Sequence, residues 1–170
     1  MPVQIPSKWD KEVDVVVLGT GGAALTAAIA AADGGASVLV LEKTHQIGGT
    51  TAYSGGVPWI PLNHYMQEAG FQDNREEAIQ FIERLALGRA DKKMIETFVD
   101  NAHIMIKYLA EHTPTRFATP LSYPEYYARM GEALKQGTRS LDPLPYNLNE
   151  IGEWGPLVRQ NPLFPPLTLE

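Results

Sequence analysis

The chain of 170 residues contains no cysteine. It therefore has no disulfide, no thiolate metal site and no cysteine nucleophile, and its composition fits a reducing compartment. No apolar run is long enough to cross a bilayer. The polar start, MPVQIPSKWDKEVD, lacks the apolar core of a signal peptide. We expect a soluble, cytoplasmic protein with no membrane span.

Positive charge is also scarce, because 14 lysines and arginines face 20 acidic residues and the formal net charge is −6. Nothing in this balance would attract a polyanion, so we expect no nucleic-acid partner. The four histidines lack acidic or histidine companions at metal-ligand spacing: His45, His64, His103 and His112. We predict no metal site.

The last third of the chain lacks room for long regular elements. Nine of the 13 prolines lie between Pro114 and Pro166, and proline interrupts both helices and central strands. We predict an extended, proline-rich segment over residues 113–170, with short helical turns near 126–130 and 148–152. After Glu42 no second convincing parallel strand follows, although a doubly wound sheet needs further strands.

The strongest pattern runs over residues 13–42, VDVVVLGTGGAALTAAIAAADGGASVLVLE. Its apolar run at 13–18 predicts a parallel strand buried on both faces. Gly19, Gly21 and Ala24 then fit G-x-G-x-x-[GA], the turn that admits a pyrophosphate at a helix start. A second strand over 37–41 ends at Glu42, 18 residues after Ala24, where a carboxylate can accept hydrogen bonds from a ribose diol. This order of elements predicts a dinucleotide site.

Two helices are predicted in the segment 64–112. Asn74 and Asp91 are suitable N-caps, and Gly88 is expected to end the first helix. The predicted buried faces are Ile79, Ile82, Leu85 and Ala86 on the first helix, and Ile95, Phe98, Ala102, Met105 or Ile106, and Leu109 on the second.

A second glycine-rich segment, which we predict to be a loop over residues 43–63, closely follows Glu42. It contains Gly48-Gly49-Thr50-Thr51 and Ser54-Gly55-Gly56. A nicotinamide site has no evident need for it. A flavin does, because its long ribityl and ring portion requires backbone and small hydroxyl donors close by.

These residues resemble the flavoprotein superfamily of fumarate reductase, succinate dehydrogenase and 3-ketosteroid Δ1-dehydrogenase. The matching pieces are VDVVVLGTGGAALTAAIAAADGGASVLVLEK and IGGTTAYSGGVPWIP. The ending SGGVPWIP is closer to the ketosteroid branch, as is YPEYYARMGEALKQGTRSLDPLPYN at residues 123–147. Relatives are several hundred residues long, and their remaining part completes the FAD domain.

The resemblance implies FAD as cofactor. Its pyrophosphate would contact Gly19, Gly21, Gly22, Ala23 and Ala24. The adenosine half would lie beside Glu42, Lys43 and Thr44, and the ribityl–flavin half along Gly49, Thr50, Thr51, Ser54, Gly55 and Gly56. Some members attach FAD through a histidine in this loop. The matching position here is Gly49, so we expect non-covalent FAD.

The implied reaction removes two hydrogens from adjacent carbons next to a ketone, with hydride passing to the flavin. In the ketosteroid branch the acid–base groups are tyrosines. Tyr123, Tyr126 and Tyr127 are candidates, and we favour Tyr123 or Tyr126 in a supporting role. The alternative is that these tyrosines only pack a proline-rich segment. Arg116 and Arg139 are expected either to bind an anion or to tie the segment down.

We therefore predict an α/β fold with an incomplete, Rossmann-like, FAD-binding β-α-β unit. Its parts are the N-terminal portion of the FAD domain (1–63), the helical segment (64–112) and the extended segment (113–170). A second protein chain would complete the FAD and substrate regions, and the assembly would use a ketone or enone substrate and an external electron acceptor. The alternatives are a fumarate-reductase-like enzyme and a non-catalytic FAD-binding or interaction module. A nicotinamide-dependent dehydrogenase is disfavoured.

Overall fold

The computed structural model of the chain describes residues 6–120, 124–129, 131 and 139–162. Helices and strands are mixed along it, as an α/β protein requires. The chain divides into two compact units. The first comprises Met1–Tyr53 and Leu148–Asn161, and the second comprises Ser54–Asn147 and Pro162–Glu170.

The first unit contains the predicted β-α-β arrangement. Strand β1 is Val15–Leu18, helix α1 is Gly22–Asp33 and strand β2 is Val38–Leu41. The strands are parallel, with Val15 beside Val38 and Leu18 beside Leu41. Helix α1 ends at the glycine pair Gly34-Gly35, where the Gly34 N–H donates to the Ala30 carbonyl at 3.1 Å.

One expectation for β1 is wrong in the described structure, because only one face of the strand is buried. Val17 is 8% exposed, whereas Val16 is 52% and Leu18 is 77% exposed. Helix α1 packs on the sheet from one side, and the other side faces solvent. The apolar side chains make the strand suitable for burial on both faces. They do not determine whether other residues pack on the second face.

The predicted loop over residues 43–63 is not continuous. A short helix, α2, occupies Gly49–Tyr53. Just before it, Ile47 forms a parallel bridge with Val158, which follows a 3-10 segment at Leu148–Leu157 that is interrupted at Gly152. A piece of the proline-rich third is thereby attached to the residues that precede the second glycine motif.

The second unit contains three helices, α3 (His64–Glu68), α4 (Arg75–Ala86) and α5 (Lys92–His112). Both predicted caps are confirmed, since the side chain of Asn74 accepts from the Glu77 N–H and that of Asp91 from the Lys93 N–H. Helix α4 ends at Ala86 rather than at Gly88. Its C-cap is Leu87, which is in the left-handed region at φ 50°. None of the described helices is long and apolar enough to span a membrane.

Helices α4 and α5 pack through a small apolar cluster of Ala78, Ile79, Ile95 and Val99. A second cluster joins α5 to the residues beside the short antiparallel pair β3 (Phe117–Ala118) and β4 (Asp142–Pro143): Ile60, Ala102, Ile106 and Leu141. The predicted faces are correct at Ile79, Ile95, Ala102 and Ile106. Phe98 is 42% exposed, and its ring stacks on Trp59 at a centroid distance of 6.3 Å.

A buried arginine organises the second unit. The side chain of Arg139 is 0% exposed. Its Nε and Nη2 donate to the two carboxylate oxygens of Asp73 at 3.0 and 2.7 Å, and Nη1 lies 3.5 Å from Glu125. Its guanidinium also lies over the rings of Trp59 and Phe81. Of the two roles expected for Arg139, the structure shows that it ties the segment down.

Arg139→Met is expected to lower the free energy of unfolding by about 3–5 kcal/mol, because it leaves the buried Asp73 and Glu125 without their cation. Urea denaturation of the chain measures this. Arg116→Met is the matched control, because Arg116 is exposed and donates only to backbone carbonyls, and its loss should cost less than about 1 kcal/mol. Equal losses in the two variants would contradict the buried network.

Candidate functional site: the cavity between the glycine motifs

The first unit contains a cavity of about 560 Å³ at the carboxyl ends of β1 and β2. In parallel α/β sheets this is the edge at which ligands bind. Its wall combines the first glycine turn, the end of β2 and the second glycine motif, and it consists of Leu18, Gly19, Thr20, Gly21, Leu41, Glu42, Lys43, Gly49, Thr50 and Arg159.

The hydroxyl of Thr20 holds these three parts together. It donates to Oε2 of Glu42 at 2.6 Å and accepts from the Gly48 N–H at 2.9 Å. The backbone N–H of Thr20 donates to the same Glu42 oxygen at 3.1 Å. Thr20 is only 8% exposed, so these bonds are largely shielded from water and fix the relative positions of both motifs.

The Glu42 carboxylate accepts hydrogen bonds from other residues of the protein. Besides the two bonds from Thr20, its Oε1 accepts from the Thr44 N–H at 3.1 Å. The hydrogen bond from Thr20, followed by that from Thr44, lowers the pKa of Glu42 below its ordinary value. The side chain is therefore an ionised carboxylate near neutral pH. A carboxylate has about four acceptor positions. The fourth is occupied only by a long contact of 3.4 Å from the Thr44 hydroxyl to Oε1, and that hydroxyl also donates to the Gln46 carbonyl at 2.7 Å, so a ribose hydroxyl can take this position on Oε1.

The two glycine motifs approach each other closely. The Gly22 N–H, at the start of α1, donates to Oγ1 of Thr51 at 3.0 Å. A Cβ on Gly22 would lie 3.2 Å from Cγ2 of Thr51, and one on Gly49 would lie 3.1 Å from Cα of Gly21 at a backbone φ of +56°. Bulkier residues would force the motifs apart, so these glycines are needed to shape the cavity as well as to admit a ligand.

The cavity wall includes six of the predicted cofactor-binding residues: Gly19, Gly21, Glu42, Lys43, Gly49 and Thr50. Beside it, Gly22 is bonded to Thr51, and Thr44 holds Glu42. Ala23 and Ala24 lie in the first turn of α1, whose N-cap Gly21 provides no side-chain bond. Ser54, Gly55 and Gly56 belong to the second unit, where the Gly56 N–H donates to the Ser54 hydroxyl.

Besides the strand residues Leu18 and Leu41, three residues in or beside the cavity wall were not among the predicted ones. Thr20 occupies the variable position of G-x-G, and the pattern places no requirement on the residue type there. Gly48 has φ +100°, and a Cβ there would lie 2.5 Å from that of Ala52. The position therefore requires glycine, but a glycine pair in the sequence indicates this only weakly. Arg159 lies in the proline-rich third, where no local pattern marks it.

The second unit contains a separate, mostly apolar cavity of about 280 Å³, lined by Val57, Trp59, Phe81, Ile82, Leu85, Glu125, Tyr126, Tyr127 and Ser140. Tyr126, a predicted catalytic residue, contributes to this wall and is 85% exposed. The other predicted catalytic residue, Tyr123, lies outside the described residues. Within the described ranges, no group of three or more histidines and acids is arranged to hold a metal ion.

Residues 14–158 match the family model described as FAD binding domain. The chain belongs to this family. FAD is accordingly its cofactor, and the predicted resemblance is confirmed on the N-terminal part of the relatives.

The relatives of this FAD-binding domain include ketone dehydrogenases. The chain is 37% identical to 4-oxocyclohexanecarboxylate 2-dehydrogenase of Sinomonas cyclohexanicum, over 86% of this chain and 29% of the relative. It is 34% identical to 3-oxosteroid 1-dehydrogenase of Mycobacterium tuberculosis, over 84% and 25%.

A solved structure gives the same result. The crystal structure of 3-ketosteroid delta1-dehydrogenase from Sterolibacterium denitrificans in complex with 1,4-androstadiene-3,17-dione matches with a TM-score of 0.81 and 32% identity. That match covers 88% of this chain and 26% of the other. The chain thus spans about a quarter of the length of the relatives it matches, as a domain related to the 3-ketosteroid dehydrogenases.

The residues of the first cavity fit FAD. The glycines bring backbone close to the cavity, the start of α1 favours an anion, and Glu42 retains acceptor capacity for a ribose. The expectation that FAD is held non-covalently, which depends on Gly49 in place of a histidine, stays a prediction.

The pH dependence of stability tests the hydrogen bonds to Glu42. A carboxyl whose pKa is lowered on folding stabilises the folded state above its unfolded-state pKa, and this contribution is lost as pH falls through the folded pKa. The difference in free energy of unfolding between the unmodified chain and Glu42→Gln should therefore be constant from pH 7 to about 5. Below the ordinary value of 4.5 it should shrink.

Urea denaturation at a series of pH values measures this difference. Repeating the comparison in a Thr20→Val background is the control, because removal of the main bond should raise the pKa of Glu42 and reduce the pH-dependent part. A difference that does not change between pH 7 and pH 3 would show that Glu42 is not held in this way.

Proposed function

We propose that the chain is the FAD-binding part of a dehydrogenase that introduces a carbon–carbon double bond next to a ketone in a ring substrate, with a 3-ketosteroid as the representative. The observation that carries the proposal is the single cavity formed by both glycine motifs, with an ionised carboxylate at its wall. FAD, when bound, supplies an acceptor for hydride. The chain's residues bind and orient it.

The apolar cavity of the second unit supports a ring substrate. Trp59, Phe81, Ile82 and Leu85 contribute to it, and such a lining binds a hydrocarbon skeleton by burying apolar surface. The buried pair of Arg139 and Asp73 fixes this wall from behind, since the Arg139 guanidinium lies 5.5 and 5.7 Å from the ring centroids of Trp59 and Phe81. A small dicarboxylate would find little to pair with on these side chains.

Tyr126 and Tyr123 are proposed to assist proton removal from the carbon beside the ketone. Tyr126 contributes to the wall of the apolar cavity together with Glu125. The Glu125 carboxylate is already bound by Trp59 and Arg139. We therefore propose that the phenol of Tyr126, and not the carboxylate of Glu125, exchanges a proton with the substrate in this part of the wall.

The reaction is tested with the purified native assembly, a 3-ketosteroid and a dye as external electron acceptor. We expect a flavin spectrum near 450 nm, steroid desaturation, and a loss of kcat of about a hundredfold in Tyr126→Phe or Tyr123→Phe. Tyr108→Phe is the control, because Tyr108 lies on α5 outside the wall of the apolar cavity, and it should change kcat by less than about threefold.

Two outcomes would contradict this function. Bound FAD with reduction of fumarate, and no action on the steroid, would favour the fumarate-reductase-like alternative. Bound FAD with no turnover of either compound would favour a non-catalytic module.

We further propose that a second protein chain covers the exposed face of the β1–β2 sheet. The described sheet has two strands, and Val16, Leu18 and Leu41 are all more than 45% exposed. Apolar surface of this kind on a parallel sheet favours association, because parallel sheets are normally covered on both faces.

Val16→Lys tests this interface, since Val16 is 52% exposed and is not part of the cavity wall. We expect the second chain to co-purify with the unmodified protein and its dissociation constant to rise at least tenfold in the variant, measured by analytical ultracentrifugation. Ile104→Lys, at a 57% exposed position on α5, should leave association unchanged. A monodisperse single chain that binds FAD would refute the proposal.

A further inference from the structure

Arg159 is held next to the second glycine motif by backbone hydrogen bonds. The Arg159 N–H donates to the Ile47 carbonyl at 2.9 Å, and the Ile47 N–H donates to the Leu157 carbonyl at 2.9 Å. Two residues further on, the amide of Asn161 donates to the Tyr53 carbonyl at the end of α2. These contacts fix the backbone of Arg159 on both sides.

The side chain of Arg159 contributes to the wall of the cavity between the glycine motifs. Its Nε is buried and has no hydrogen-bond partner among the described residues. Buried donors are almost always paired in folded proteins, so one that is not requires an explanation. The guanidinium as a whole forms no hydrogen bond with the described residues. Because Nε is shielded, the two Nη groups at the end of the side chain are the donors that can meet a ligand in the cavity.

The acidic residue of the cavity does not provide that partner. The Glu42 carboxylate is bonded to Thr20 and Thr44, and in the described part of the chain no ion pair joins it to Arg159. The guanidinium is thus left without an anionic partner in the described part of the chain, and an oxyanion that enters the cavity would supply one. Arginine matches phosphate especially well, since its planar group donates two parallel hydrogen bonds to an oxyanion.

We propose that Arg159 binds a phosphate of FAD. The α1 N-terminus adds to the same preference, since its N-cap Gly21 offers no side chain to the first N–H groups and the helix dipole is positive there. The assignment depends on FAD binding at this cavity, but not on the reaction proposed above. It gives the last part of the described chain a direct role at the cofactor.

The test compares FAD dissociation constants, from flavin fluorescence, of the protein as purified and of Arg159→Met, Arg159→Lys and Arg89→Met. Arg159→Met is expected to weaken FAD binding about tenfold to a hundredfold, with a shallower salt dependence because one cation–phosphate contact is lost. Arg159→Lys should recover part of the affinity. Arg89→Met, at an exposed position outside the cavity, should match the unmodified protein.

The thermal unfolding midpoint without FAD separates this role from a structural one. Because Nε has no partner to lose, Arg159→Met should leave that midpoint unchanged or raise it. A lower midpoint, or an unchanged affinity for FAD, would overturn the assignment of Arg159 alone. Failure of the unmodified protein to bind FAD would overturn both this assignment and the proposed function.

Discussion

The first unit depends on one hydroxyl group. Thr20 Oγ1 accepts from the Gly48 N–H and donates to Glu42, and it thereby joins its own segment to two others, 22 and 28 residues further along the chain. A hydroxyl can do both at once because it is a donor and an acceptor. Valine would fill the same space but would remove the acceptor of the Gly48 N–H and the shorter of the two bonds to Oε2 of Glu42. The variable position of the glycine pattern is therefore chemically constrained.

This constraint explains why glycine is so frequent around the cavity. Once Thr20 fixes the distance between the motifs, the space between their backbones holds the small side chain of Thr51 and little else. A Cβ on Gly49 would lie 3.1 Å from Cα of Gly21, and Gly48 has a positive φ of 100° with a Cβ position only 2.5 Å from Cβ of Ala52. Close packing of the two loops and close approach of a cofactor are consequences of the same geometry. Interpreting a glycine motif only as a sign of ligand binding overlooks its role in the packing of the two loops.

Local signals account for what was predicted correctly. The β-α-β unit follows from an apolar run, a glycine turn and a glycine pair, and the caps at Asn74 and Asp91 follow from side chains that bond within three residues. The contacts that were not foreseen join distant positions. Arg139 pairs with Asp73 from 66 residues away, and Val158 reaches Ile47 across 111. The burial of both faces of β1 was also predicted wrongly. Apolar side chains show that a strand face can be buried, but not that other residues pack on it.

Two arginines of the C-terminal third show how burial separates structural from ligand-binding roles. Arg139 is fully buried, and its guanidinium is shared between two carboxylates and two aromatic rings. Replacing Arg139 would leave Asp73 and Glu125 buried without a cation, which lowers the free energy of unfolding. Arg159 is only partly buried, yet its Nε is shielded without an acceptor. A protein that retains such an unfavourable group gains from it elsewhere, since functional sites commonly retain polar groups at the expense of stability. The same residue type therefore stabilises the fold where its donors are satisfied, and favours an incoming anion where they are not.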